Sequence, residues 1–135
     1  MITKFSDGWF KDFCRRINED KSYGRNGKGW HWNITFSVVG DSDSHSIKAG
    51  MSKIVKMKLK DGKCEGIEIM KVERVSPDEY LIRGSASVWE KIMEGKTSLI
   101  NSMLKGDLKV TGDVKRLTAY IMAANDLARI ASGVT

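Results

Sequence analysis

An α+β layer fold, with helices packed on a sheet, is predicted by three features of the sequence. Trp30 to Val38 alternate strictly between apolar and polar residues; strand patterns cluster in the first half; and helix-period stripes dominate both the leading segment and the last third. Helices and strands come in runs, which disfavours a regularly alternating α/β fold. With 135 residues, 41% of them hydrophobic, the chain is expected to be a single domain over residues 1–135 that needs neither a disulfide framework nor a structural metal.

The leading helix is expected over Asp7 to Asn18. Phe10, Phe13, Cys14 and Ile17 fall on one face, Lys11, Asp12, Arg15 and Arg16 on the other, and Ser6 or Asp7 can cap it. Gly24, Gly27 and Gly29 then break the chain before the alternating strand, where Trp30, Trp32, Ile34, Phe36 and Val38 share one side. A second strand is expected from about Ile47 to Leu59. Asp61-Gly62 signals a tight hairpin, since both central residues of a type I′ turn need positive φ. The return strand, Cys64 to about Val75, changes phase near Met70, which suggests a bulge there.

Pro77-Asp78 turns the chain into a short strand, Tyr80 to Gly84. Val88, Trp89, Ile92 and Met93 mark a helix closed by Gly95, and Leu99, Ile100, Met103 and Leu104 a second closed by Gly106. A fifth strand through Leu108 and Val110 ends at Gly112. Asp113 then caps one long helix reaching Ala131.

Motifs for chemistry are weak. The segment Gly24 to Gly29 is rich in glycine, but it follows a helix and opens a strand, the reverse of a phosphate loop. Asp41-Ser-Asp-Ser-His45 alternates like a calcium loop, yet Ser46 and Ser52 stand where glycine and the bidentate glutamate belong. His31 and His45 have no nucleophile or acid at a telling spacing. Cys14 and Cys64 lack zinc spacings and are expected to be separate thiols of a reduced, cytoplasmic protein, with Cys64 a small side chain in a strand. No catalytic residue, metal ligand or cofactor is expected. The sequence shows neither a signal peptide nor a membrane span.

The net charge of +6 comes from 23 Lys and Arg against 17 Asp and Glu. Lys53, Lys56, Lys58, Lys60 and Lys63 crowd onto one hairpin. Four tryptophans could offer stacking surfaces for single-stranded nucleic acid, but Trp30 and Trp32 share a face with Ile34, Phe36 and Val38, as in a core layer. The lysines are expected to form a solvated face that also blocks edge pairing, with attraction to anionic membrane as a further use.

The segment Ser87-Val-Trp-Glu-Lys-Ile-Met-Glu-Gly-Lys-Thr-Ser-Leu-Ile-Asn-Ser-Met-Leu-Lys-Gly-Asp-Leu-Lys-Val-Thr-Gly-Asp113 resembles the signature stretch of the sterol carrier protein, or non-specific lipid-transfer, domain family. Trp89, Gly95, Lys96, Leu104, Gly106, Leu108, Val110, Gly112 and Asp113 carry the likeness, which extends more loosely from about Phe5 to Ala131. It is nearest the small stand-alone prokaryotic members, and the chain end, Ala-Ser-Gly-Val-Thr, lacks the peroxisomal Ser-Lys-Leu address. The resemblance implies a five-stranded, mainly antiparallel sheet covered by helices, with an apolar tunnel for a fatty acid, acyl-CoA, sterol-like or isoprenoid lipid, and no catalysis. On that basis the expected lining is Trp89, Ile92, Met93, Leu99, Ile100, Met103, Leu104, Leu117, Ile121 and Met122. Domains of this family also occur joined to enzymes, so a dimerisation or interaction module is the competing expectation.

Overall fold

The computed structural model describes residues 3–134. Its elements are α1 (Asp7–Glu19), α2 (Lys21–Asn26), β1 (His31–Val39), β2 (Ser52–Lys60), β3 (Lys63–Met70), β4 (Tyr80–Ser85), α3 (Ala86–Met93), α4 (Leu99–Leu104), β5 (Leu108–Thr111), α5 (Val114–Ala119) and α6 (Ile121–Ser132). The five strands form one sheet in the order β3-β2-β1-β4-β5. All neighbours are antiparallel except β1 and β4, so the α+β, mainly antiparallel reading holds.

β1 is the central strand. Trp32, Ile34, Phe36 and Val38, with Trp30 just before them, point to the side covered by the helices, joined by Val55, Met57 and Leu59 of β2 and by Tyr80 and Ile82 of β4. Against this face α1 lays Trp9, Phe10, Phe13 and Ile17, and α6 lays Ala123, Ala124, Leu127, Ile130 and Ala131. Side-chain oxygens cap five helices: Ser6 and Asp113, as the sequence suggests, and also Asp20, Ser85 and Ser98 accept from N–H groups of their first turns.

Several elements differ from expectation: α2 has no counterpart among the expected helices, and β3 ends at Met70 and not near Val75. β2 begins at Ser52, because Ile47 to Met51 belong to the loop that ties back through the Gly40 N–H to the Met51 carbonyl at 2.7 Å. The C-terminal helix is broken at Tyr120, whose ring stacks on Trp30 with centroids 4.3 Å apart. The bulge lies in β3 at Glu65, between the pairs Leu59–Cys64 and Lys58–Gly66, and not near Met70.

That bulge has a consequence for the cysteines. In a regular strand, Cys64 and Ile67 would face opposite sides; the extra residue puts both on the helix-covered side. Cys64 therefore meets Cys14 of α1, and the two form a disulfide with Cα atoms 5.4 Å apart. Asn18, one turn further along α1, clasps the same spot: its Nδ2 donates to the Cys64 carbonyl at 2.9 Å and its Oδ1 accepts from the Cys64 N–H at 2.8 Å. The expectation of two separate thiols is thus overturned, and with it the cysteine argument for a reducing compartment. Sequence spacing could not show the pairing, because it depends on the bulge.

The glycine-rich segment serves the hairpin. Asp61 and Gly62 take φ of 53° and 80°, the turn the sequence predicts. A Cβ on Gly62 would stand 2.6 Å from the Gly24 carbonyl oxygen, so two backbones meet there, and Asp61 Oδ1 accepts from the Gly29 N–H at 2.7 Å.

Going from edge strand β3 to β4 forces the chain across the other side of the sheet. The crossing segment, residues 71–79, covers that side and is fixed by two glutamates. Glu73 accepts from Ser37 Oγ at 2.6 Å and pairs with Arg83; Glu79 accepts from Asn33 and pairs with Lys56 at 2.8 Å. Arg83 and Ser37 hold the Glu73 carboxyl below its ordinary value. Burial raises that of Glu79, but Lys56, Asn33 and the Ser76 N–H outweigh it, so this carboxyl is also lowered.

Two outcomes follow for stability. A carboxyl depressed on folding contributes above its unfolded pKa and loses that contribution as pH falls through the folded one. Urea midpoints should therefore drop as pH falls below about 4, and Glu73→Gln/Glu79→Gln should flatten that dependence while costing about 1 kcal/mol per site near neutrality. Closing a loop of about 50 residues is worth about 4 kcal/mol in the chain-entropy description. Dithiothreitol, or Cys14→Ser/Cys64→Ser, should lower the urea midpoint correspondingly; an unchanged midpoint would mean that the thiols are unpaired in solution.

Candidate functional site

The space between sheet and helices contains a cavity of about 60 Å³. Its floor is the inner face of β1, from Trp32 to Val38, with Ile82 of β4. Trp9, Phe10 and Phe13 of α1 form one wall, preceded by Phe5. Trp89, Ile92 and Met93 of α3 with Leu99 of α4 form another, and Leu117 with Ala124, Leu127, Ala128 and Ala131 closes the roof. None of these side chains is ionisable, so the wall contains no acid, base or nucleophile. A wall of this kind excludes water and accepts hydrocarbon.

Of the ten lining residues expected from the sequence, Trp89, Ile92, Met93, Leu99 and Leu117 are brought together at this cavity. Ile100, Met103 and Ile121 are half-buried outside its wall. Leu104 and Met122 are 81% and 64% exposed. The short helix α4 presents Leu99 and Ser102 inward, which turns Leu104 outward. The floor and the α1 wall escaped sequence reasoning, although both stripes were visible: in a layer fold the apolar sides of β1 and α1 have to face each other, and that is where the cavity forms.

Several contacts fix the cavity's frame. Trp89 donates its indole N–H to the Ser37 carbonyl at 3.4 Å, and the absence of a Cβ at Gly84 leaves room for this ring. Trp30 and Trp32 stack at 3.6 Å, Tyr80 lies edge-on to both, and Tyr80 Oη donates to the Asp113 carbonyl at 2.8 Å, seating α5. Trp32 donates to Tyr23 Oη at 3.2 Å. Burial pushes the Tyr23 phenol up to about 12, against the lowering effect of that hydrogen bond, so the group stays neutral and anchors. Asp126 of α6 accepts from Ser22 and Asn26 of α2 and from Arg129, and Arg129 also reaches Asp20, which ties α6 to α2.

Two unusual features stand at the α1 end. Phe5 has φ of 66°, a left-handed conformation that costs a residue with a Cβ ~1–2 kcal/mol and persists only where packing enforces it. Its ring sits edge-on to Trp9, centroids 5.3 Å apart. The Trp9 indole nitrogen is buried with no hydrogen-bond partner, as are Trp30 Nε1 and Thr35 Oγ1.

The remaining candidates disperse. Asp41 accepts from Ser87 and Ser46 donates to Glu90, so the Asp41–His45 segment is a polar turn fastened to α3. His31 and His45 are exposed. Among the described residues no cluster of His, Cys, Asp and Glu could hold a metal, and no helix is long and apolar enough to cross a membrane. Of the five hairpin lysines, Lys53 pairs with Asp7 and Lys56 with Glu79, while Lys58, Lys60 and Lys63 are exposed.

No protein-family model and no curated protein matches the sequence, but solved structures are similar to it. A sec-alkylsulfatase from Pseudomonas sp. matches 84% of this chain over 15% of its own length, with a TM-score of 0.53 and 15% identity. A conserved hypothetical protein from Thermus thermophilus, described as possibly sterol carrier protein, gives 0.81 at 23% identity, covering 97% of this chain and 89% of its own. A crystal structure of sterol carrier protein 2 gives 0.83 at 24% identity, covering 97% of this chain and 98% of its own. The described chain thus has the fold of sterol carrier protein 2.

Proposed function

We propose that this protein is a non-catalytic carrier that binds a single hydrophobic molecule, such as a fatty acid, acyl-CoA, sterol-like or isoprenoid lipid, between its sheet and its helices. The observation behind this reading is the wholly apolar, unionisable wall, built at the sheet–helix boundary of a sterol-carrier-like fold. The energetic basis is transfer from water. At about 0.8 kcal/mol per methylene, a chain of roughly sixteen carbons gains on the order of 12 kcal/mol gross, before the costs of ordering.

A cavity of about 60 Å³ is far below the roughly 300–1,000 Å³ of organic-ligand sites, so loading requires expansion. In our reading the short helices α4 and α5 and the start of α6 move outward, and the half-buried Ile100, Met103 and Ile121 join the wall. The exposed Lys58, Lys60 and Lys63 add a contact with anionic membrane at the hairpin end, at about 1 kcal/mol per lysine near the surface.

A second reading has its own support. The same fold occupies 15% of a sulfatase, so it also exists as part of a larger enzyme, where a filled core would suit an interaction or dimerisation module.

Mass spectrometry of solvent extracts from the purified protein separates the two: co-purified lipid supports the carrier, and an empty extract with a stable dimer in light scattering supports the module. Met93 is half-buried at the cavity wall, so Met93→Arg can keep its charge near water while filling the space. It should weaken binding of a fluorescent fatty acid at least tenfold with an unchanged circular-dichroism spectrum. Full binding by a folded Met93→Arg protein would remove this wall from consideration.

A further inference from the structure

Phe5 separates two spaces. On one side it lines the apolar cavity; on the other it lines an open depression of about 360 Å³ between the N-terminal segment and residues 46–53. The depression contains Lys4, Lys48 and Lys53, and among the described residues no carboxylate lines it. The nearest acids lie outside: Asp7 pairs with Lys53, and Glu94, bound to Lys96, is also influenced by Lys4. Neither Lys4 nor Lys48 has an ion-pair partner among the described residues.

We infer that this is the mouth of the site: Phe5 is its plug, and the depression receives the anionic end of a single-chain lipid, a fatty acid carboxylate, whose tail enters the cavity beside Trp9. The inference rests on the carrier reading and adds to it an entrance, an orientation and a charge.

Two features converge here. An apolar space and a cationic space share one residue as their partition, which is the arrangement an amphipathic molecule requires. That residue has a left-handed backbone, so its packed position opposes its intrinsic preference and is held by the contacts of its ring.

The test uses cis-parinaric acid and its methyl ester, which share the chain and differ in charge. Lys4→Glu/Lys48→Glu should weaken the acid at least tenfold, leave the ester within twofold, and abolish the loss of acid affinity with added salt seen in the unaltered protein. Equal weakening of both probes, or no weakening of the acid, overturns the head-group site. Acetate or inorganic phosphate at millimolar concentration should not displace the acid; displacement would show a free-anion site without a chain requirement and likewise overturn it. Phe5→Ala should raise the association rate of both probes at least fivefold in stopped flow, and an unchanged rate overturns the plug. An unaltered protein that binds neither probe overturns the carrier reading itself, a failure distinct from the others.

Discussion

The structure depends on the burial of one side of one strand. β1 lies at the centre of the sheet, antiparallel to β2 and parallel to β4, and its inner face, continued by Trp30, carries three aromatic rings and two aliphatic side chains. At about 25 cal/mol per Å² of apolar surface, each large ring on that face is worth several kcal/mol when covered. Helices α1, α3 and α6 supply the cover. Their caps, the disulfide and the Asp126 cluster hold in place what this burial demands.

The other face of the sheet follows a different logic. A sheet ordered β3-β2-β1-β4-β5 cannot link β3 to β4 without a crossing, and that crossing covers Thr35, Ser37 and Leu81. Ser37 and Asn33 find partners in Glu73 and Glu79, which also neutralise Arg83 and Lys56, while Thr35 Oγ1 is buried without one. The basic surplus is therefore not spread evenly. Part of it is consumed on this outer face, while Lys58, Lys60 and Lys63 at the end of the hairpin and Lys4 and Lys48 at the depression beside Phe5 are among those without an ion-pair partner among the described residues.

The cavity arises where these layers fit imperfectly. Facing stripes of large rings from α1 and β1 leave a gap that small residues of α6, Ala124, Ala128 and Ala131, do not fill. A closed core would place larger residues there. Asp126 and Arg129 tie the middle of α6 to α2, while its start, with α5, lies outside that polar network, and this connects the packing to the carrier reading. α5 and α6, broken apart at Tyr120, form a jointed cover.

The sequence by itself determined most element types, the caps at Ser6 and Asp113, the Asp61-Gly62 turn and the inner face of β1, because each is set by local periodicity or by a short-range hydrogen bond. The Ser87 to Asp113 stretch also sufficed to point to the right fold. Only the tertiary structure decided the rest. Cys14 and Cys64 meet because a bulge at Glu65 reverses the face of a strand end, an event that depends on pairing with β2. Leu104 and Met122 look inward in the sequence pattern but face solvent, since a helix of six residues has too few turns for periodicity to assign its buried side, and the break at Tyr120 resets the stripe that Met122 would have continued. Phe5 and Trp9 join the site because α1 packs over β1, a contact between segments about 25 residues apart that no local pattern encodes.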